Sequence, residues 1–142
     1  MIATARDAYG PIAAWFANAG VDVVLLDIVP PNLEGADRED PKKRSSFAEG
    51  ALAKTLKAKP ALLYATENAA RIQTGNLEDH LALLGDADLI VEAIVENLAI
   101  KRDLFAKLEA TKHQHAIVAS NTSGLRIHDM LEGRSDAFRE RF

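Results

Sequence analysis

Residues 12–27, Ile12-Ala13-Ala14-Trp15-Phe16-Ala17-Asn18-Ala19-Gly20-Val21-Asp22-Val23-Val24-Leu25-Leu26-Asp27, decide the fold. Pro11 stands in front of a small-residue-rich segment and Gly20 behind it, the punctuation of a short helix over Ile12–Ala19. Val21–Asp27 then reads as a strand. From Val23 to Leu26 it is apolar without alternation, which predicts that both of its faces are covered. A helix followed directly by such a strand is half of a βαβ unit, whose strands lie parallel.

Further along the chain the alternation continues. Pro30 and Pro31 stop the strand, and residues 32–44 read as an exposed polar loop. Ser46 and Glu49 have capping-box spacing ahead of Phe47, Ala51, Leu52 and Leu56, which predicts a helix to about Ala58. Ala70–Gln73 reads as a short strand, Leu77–Leu84 as a short helix closed by Gly85, and Leu89–Ile94 as a second strongly apolar strand. Asn97 caps a helix in which Leu98, Lys101, Leu104, Phe105 and Leu108 separate into apolar and charged faces; a further buried strand spans Ala116–Ala119. One α/β domain over residues 1–142 is expected, a doubly wound parallel sheet with helices on both faces.

Composition limits the partners. The 142 residues are 48% hydrophobic, enough for one core, and a net charge of −4 disfavours an electrostatic grip on nucleic acid or anionic lipid. No apolar run approaches the ~20 residues of a membrane span. There is no cysteine, and His80, His113, His115 and His128 show no ligand spacing, so no metal site is expected. Cytoplasmic localisation is the default.

Three positions at strand ends carry the candidate chemistry, because open α/β sheets bind ligands beyond the carboxyl ends of their strands. Asp27 ends its strand where a dinucleotide-binding domain keeps the acid that accepts from ribose hydroxyls, although acids also occur at strand ends simply because the chain emerges into water. Val91-Glu92-Ala93-Ile94-Val95-Glu96-Asn97 ends a second strand with Lys101 on the next helix; in isolation Glu96 reads as a helix-start acid and Lys101 as a solvated lysine. Ser120-Asn121-Thr122-Ser123 ends a third, and by itself is as well read as a turn. Lys54, Lys57 and Lys59 form a solvated helix face.

Taken together, Ile12-Ala13-Ala14 with Ala17-Asn18-Ala19-Gly20-Val21, Val24-Leu25-Leu26-Asp27-Ile28-Val29-Pro30, the Val91–Asn97 stretch with Lys101, and Ser120-Asn121-Thr122-Ser123 resemble the NAD-binding domain of 3-hydroxyacyl-CoA dehydrogenases. Lys57-Ala58-Lys59-Pro60 and Gly75-Asn76-Leu77-Glu78-Asp79 are similar to the long bacterial members that carry an enoyl-CoA hydratase region further along. The likeness runs from Ile12 to Phe142. It implies a Rossmann-like doubly wound sheet, incomplete here, with NAD as cofactor and a 3-hydroxyacyl-CoA as the substrate of the full-length enzyme, oxidised to the 3-ketoacyl-CoA in fatty-acid β-oxidation. It also implies that Asp27 binds the adenosine ribose, that Glu96 and Lys101 contact the cofactor near its nicotinamide half, and that Ser123 hydrogen-bonds both nicotinamide and the substrate's 3-oxygen. In the family a histidine paired with a glutamate removes the hydroxyl proton.

The chain departs from that pattern at both ends. Aligned backwards from Ile12, the three family glycines fall at Thr4, Arg6 and Tyr9, so the turn that lets backbone N–H groups reach a pyrophosphate is absent and the first strand begins at or before Met1. The His-Phe-Phe-Asn-Pro run in which the family keeps its catalytic histidine does not occur before Phe142. These departures predict weak NADH binding, no complete reaction by this chain alone, and a piece of a longer reading frame whose exposed apolar surface favours self-association. Two other readings remain open: a remnant that folds or associates without binding nucleotide, and another nucleotide-fold enzyme such as a methyltransferase, which the Glu96, Lys101 and Ser123 spacing disfavours.

Overall fold

The computed structural model describes residues 9–112 and 114–142, and the backbone of residues 2–3. Thr4, Arg6 and His113, on which the sequence analysis drew, lie outside the described residues. The elements are β1 (Ile2–Ala3), α1 (Tyr9–Asn18), β2 (Val23–Asp27), α2 (Pro41–Arg44), α3 (Ser46–Lys57), β3 (Ile72–Asn76), β4 (Leu89–Ala93), α4 (Leu98–Thr111), β5 (Ile117–Ser120), α5 (Ile127–Met130) and α6 (Asp136–Arg139), with 3₁₀ turns at Gly35–Arg38, Thr66–Arg71 and Leu81–Asp86. The five strands pair in parallel in the order β3-β2-β1-β4-β5. This is the doubly wound α/β architecture expected from the alternation of elements.

Alternate residues of the covered strands feed two cores. Val23 and Leu25 of β2, Ile72 of β3 and Ala93 of β4 pack with Tyr9, Ala13, Ala17, Ala48 and Ala51 of α1 and α3. Leu26, Ile90 and Val118 pack on the opposite face with Leu104, Phe105 and Leu108 of α4 and with Met130, Leu131 and Phe138. α1 lies close to α3 because its contact face is built of small residues. A Cβ placed on Gly10 would come within 2.2 Å of Thr55 Oγ1, itself donating to the Ala51 carbonyl at 2.9 Å. Gly20 ends the helix in the left-handed region at φ 84°, which only glycine enters without strain.

Several boundaries differ from the sequence reading. α1 starts at Tyr9, with Pro11 inside its first turn, where a missing N–H costs no helical bond. The Ser46–Glu49 capping box does not form: Ser45 takes the N-cap position without a side-chain capping bond, its Oγ accepting from Asn76 Nδ2 at 3.2 Å, and Ser46 Oγ donates to the Lys43 carbonyl at 2.8 Å. Residues 32–44 are more ordered than a plain loop because Asp40 caps α2 through the Lys42 N–H at 2.9 Å. The third strand lies over Ile72–Asn76, since the chain only leaves its 3₁₀ turn at Arg71 and then pairs Ile72 with Val23. The helix expected over Leu77–Leu84 is a 3₁₀ turn over Leu81–Asp86.

The C-terminal part is held to α4 and β5 by polar and aromatic contacts. Glu109 accepts from Arg134 Nη1 at 2.7 Å and from Ser135 Oγ at 2.6 Å, and Val118 donates its N–H to the Arg141 carbonyl at 2.7 Å. The Phe105 ring meets Phe142 edge-on at 5.2 Å and Phe138 at 6.2 Å. Phe105→Ala is expected to destabilise the fold by about 3–5 kcal/mol, whereas Trp15→Ala, at a side chain 71% exposed, should change stability by less than about 0.5 kcal/mol. Urea unfolding followed by circular dichroism measures both.

Candidate functional site

All strands being parallel, their carboxyl ends share one edge, and β2, β4 and β5 deliver Asp27, Glu96 and Ser123 to it. A cleft of about 390 Å³ opens on this edge, reaching Asp27 and walled by Ile28, Leu77, Ile94, Ile100 and Leu104. A second cavity, of about 650 Å³ and lined by Val23, Val24, Leu89 and Val91 among others, lies at the amino ends of β2 and β4, the edge that this architecture does not use for ligands.

Asp27 is 1% exposed, and both of its carboxylate oxygens are engaged. Oδ1 accepts from the Ile28 N–H at 2.7 Å, and Oδ2 accepts from the Tyr9 hydroxyl at 2.6 Å. Its carbonyl accepts from the Leu77 N–H at 2.9 Å, tying the end of β2 to the turn after β3. That turn is built on the buried Asn76, whose Oδ1 accepts from the N–H groups of Glu78 and Asp79 at 3.0 and 2.8 Å. Its Nδ2 donates to Asp79 Oδ2 at 2.8 Å, and Arg44 Nε meets the same carboxylate at 2.7 Å. Arg44 first, and then Asn76, hold the Asp79 carboxyl down at about 2.

The end of β4 is organised by a buried ion pair. Glu92 and Lys101 are both 0% exposed, with Lys101 Nζ 2.6 Å from Glu92 Oε1. The same Oε1 accepts from the Ile94 N–H at 2.5 Å, and Oε2 accepts from Ser120 Oγ at 2.5 Å. Ser120 Oγ in turn accepts from the Thr122 N–H at 3.2 Å, so one carboxylate fixes the turns after both β4 and β5. Lys101 is therefore not the solvated lysine of the simplest sequence reading. It lies on the buried stripe of α4 with Leu104, Phe105 and Leu108, at the spacing of one helix face.

Above this pair, Glu96 reaches from the β4–α4 turn to the turn after β5. Its Oε1 accepts from the N–H groups of Ser123 and Gly124, both at 3.1 Å, and from Ser123 Oγ at 3.4 Å. The Ser123 N–H, then that of Gly124, hold the Glu96 carboxyl below its ordinary value. Asn97 caps α4 by accepting from the Ile100 N–H at 3.1 Å. The structure thus joins Glu96 with Ser123 directly, places Lys101 beneath them, and closes Asp27 against Tyr9. Sequence reasoning passed over Glu92 and Tyr9. The first had a signal, a lone charge inside the apolar run Leu89–Ile94 in need of a partner. Among the described residues no cluster of His, Asp or Glu is arranged to hold a metal ion, and no helix is long and apolar enough to cross a membrane.

Two outcomes are expected. Lys101→Met, which leaves Glu92 buried without its cation, should cost about 3–5 kcal/mol, and Glu92→Gln in the same chain should recover part of that loss; paired denaturation curves read it. The Glu96 carboxyl is depressed in the folded chain, so its grip on the Ser123 turn is complete above the unfolded value of about 4.3 and is lost as pH falls through the lower folded value. The Ser123 and Gly124 amide resonances should shift with a midpoint below that of an unperturbed glutamate.

The family of the 3-hydroxyacyl-CoA dehydrogenase NAD binding domain matches residues 10–140. A probable 3-hydroxyacyl-CoA dehydrogenase of Bacillus subtilis is 43% identical over 137 residues, covering 92% of this chain and 17% of the relative. One of Deinococcus radiodurans is 44% identical over 131 residues, covering 92% of this chain and 36% of the relative. Among solved structures, FadB2 of M. tuberculosis superposes with a TM-score of 0.65 at 26% identity, covering 91% of this chain and 42% of that one. The chain therefore spans less than half the length of each.

Proposed function

The chain belongs to the NAD-binding domain family of 3-hydroxyacyl-CoA dehydrogenases, and we propose that its 142 residues form the nucleotide-recognising portion of such an oxidoreductase without completing the reaction by themselves. The observation that carries this reading is the bond between Glu96 and the Ser123 turn, on the sheet edge where Asp27 also ends its strand. Glu96 and Ser123, 27 residues apart in sequence, meet there, and Asp27 ends a separate strand on the same edge, as the recognition of a two-part nucleotide requires.

NAD is the cofactor of this domain family. The residues present fit it unevenly. The apolar cleft beside Ile28, Ile100 and Leu104 suits an adenine ring, and Ser123, held by Glu96, suits the nicotinamide end. At the ribose position the fit fails as the side chains stand, because the Asp27 carboxylate is buried against Tyr9. In the proposal Asp27 recognises ribose hydroxyls, Ser123 donates toward nicotinamide and the 3-oxygen of a 3-hydroxyacyl-CoA, and Glu96 fixes the Ser123 turn. Lys101, placed by resemblance near the nicotinamide, acts through Glu92 from below. NAD supplies the hydride acceptor when bound; the chain's own residues bind and orient. The histidine that takes the hydroxyl proton in the family belongs to a run that these residues do not contain, so turnover by this chain alone is not expected.

A second reading, a folded remnant that binds no nucleotide, is favoured by the Tyr9–Asp27 contact. Calorimetry with NADH and with S-adenosylmethionine separates the readings. NADH is expected to bind weakly and in preference to S-adenosylmethionine, and Glu96→Ala to weaken it by roughly fivefold to tenfold. NADH binding no better than S-adenosylmethionine would sink the cofactor assignment.

A further inference from the structure

Tyr9 opens α1, is 1% exposed, and donates its hydroxyl to Asp27 Oδ2 at 2.6 Å. With Oδ1 taken by the Ile28 N–H, the carboxylate is bonded at both oxygens and almost wholly withdrawn from solvent. An acid that recognises a ribose needs the reverse: an acceptor oxygen presented to the cleft. A phenol offers an O–H donor on a rigid ring, the same kind of partner as a ribose hydroxyl, and an O–H bonded to an ionised oxygen is among the stronger hydrogen bonds. Tyr9 also stands where the resemblance puts the third glycine of the fingerprint, a position meant for close packing of the helix on the strand.

We propose that Tyr9 is an internal competitor for the nucleotide: its hydroxyl satisfies Asp27 in place of a ribose hydroxyl, and dinucleotide binds only when that bond is given up. The inference rests on reading Asp27 as the ribose acid. It makes stability and affinity move in opposite directions at one residue. Removing the hydroxyl takes one charge-assisted bond from a buried carboxylate, which weakens the fold, and gives up an acceptor position to the ligand. A tyrosine serving the core alone would cost stability when altered and give no affinity in return.

Four chains test this by calorimetry with NADH and by thermal melting: the chain itself, Tyr9→Phe, Asp27→Asn, and the double variant. Tyr9→Phe keeps the ring in its packing against Ala13, Ala48 and Ala51. It should melt lower and bind NADH about tenfold more tightly, and in the Asp27→Asn background the same change should alter affinity by less than about twofold. If Tyr9→Phe leaves NADH affinity unchanged while Glu96→Ala still weakens it, the competitor role is overturned and the cofactor reading stands. If none of the four chains binds NADH, the cofactor reading falls and the competitor role with it. Should Tyr9→Phe fail to melt cooperatively, Tyr9→Met, of similar volume and without the donor, is judged by the same two criteria.

Discussion

The carboxylate of Glu92 has to be neutralised where it lies, and much of the ligand edge follows from how this is done. β4 sits between β1 and β5, so Glu92, paired with Ile2 on one side and Ser120 on the other, has no route to water. An ion there without a partner would cost several kcal/mol. Lys101 supplies the opposite charge from the second turn of α4, which fixes how that helix leaves the strand. The oxygens left over take the Ile94 N–H and the Ser120 hydroxyl, and through these the turns that carry Glu96 and Ser123 acquire their positions. A hydrophobic pair would fill the space without setting those turns.

The two halves of the edge are built differently. On the β4–β5 side, buried charge underpins an exposed contact between Glu96 and Ser123, so the groups that would meet a ligand stand in solvent on a stiff base. On the β2–β3 side the arrangement is inverted: the candidate acid, Asp27, is itself buried, and the exposed work is done by Arg44 and Asp79, which brace the turn after β3 against α2. Solvent screens that surface pair, so its value is geometric more than energetic. It keeps Leu77, a wall of the cleft, beside the end of β2.

The parts of the fold legible in sequence were those where one local signal dominates. The unbroken Val23–Leu26 run and the Asn97 cap appear as a doubly covered strand and a helix start, because neither burial nor capping there has a competitor. Where tertiary pairing decides, local signals misled. Ser46 and Glu49 have capping-box spacing, yet the short α2 helix running into α3 gives Ser46 the Lys43 carbonyl instead. β3 begins at Ile72 because Val23 is its partner across the sheet, a fact absent from Ala70–Gln73 itself. In the site, Asp27, Glu96 and Ser123 were visible as strand-end residues. The burial of Lys101 was readable only by setting its helical phase with Leu104 and Leu108 beside the lone acid of β4. Tyr9 had no such signal, since its contact depends on where α1 begins relative to β2, eighteen residues away in sequence.

That contact shows why recognition and folding compete at a strand end. A carboxylate placed to bind a ligand is satisfied only part of the time, so the free chain must leave it to water, at no gain in stability, or supply it with an internal donor, which then has to be displaced. Glu96 stands in water and binds backbone N–H groups of a turn that it also orders, so its own bonds and the site's geometry reinforce each other. Asp27 takes the other course, and its bond to Tyr9 joins the first helix to the second strand at the expense of the surface it would show a ligand. The two acids share one sheet edge and differ in what surrounds them: a glutamate over an exposed turn, an aspartate bonded to a buried phenol hydroxyl. Burial, more than residue type, sets which of them presents its oxygens to solvent.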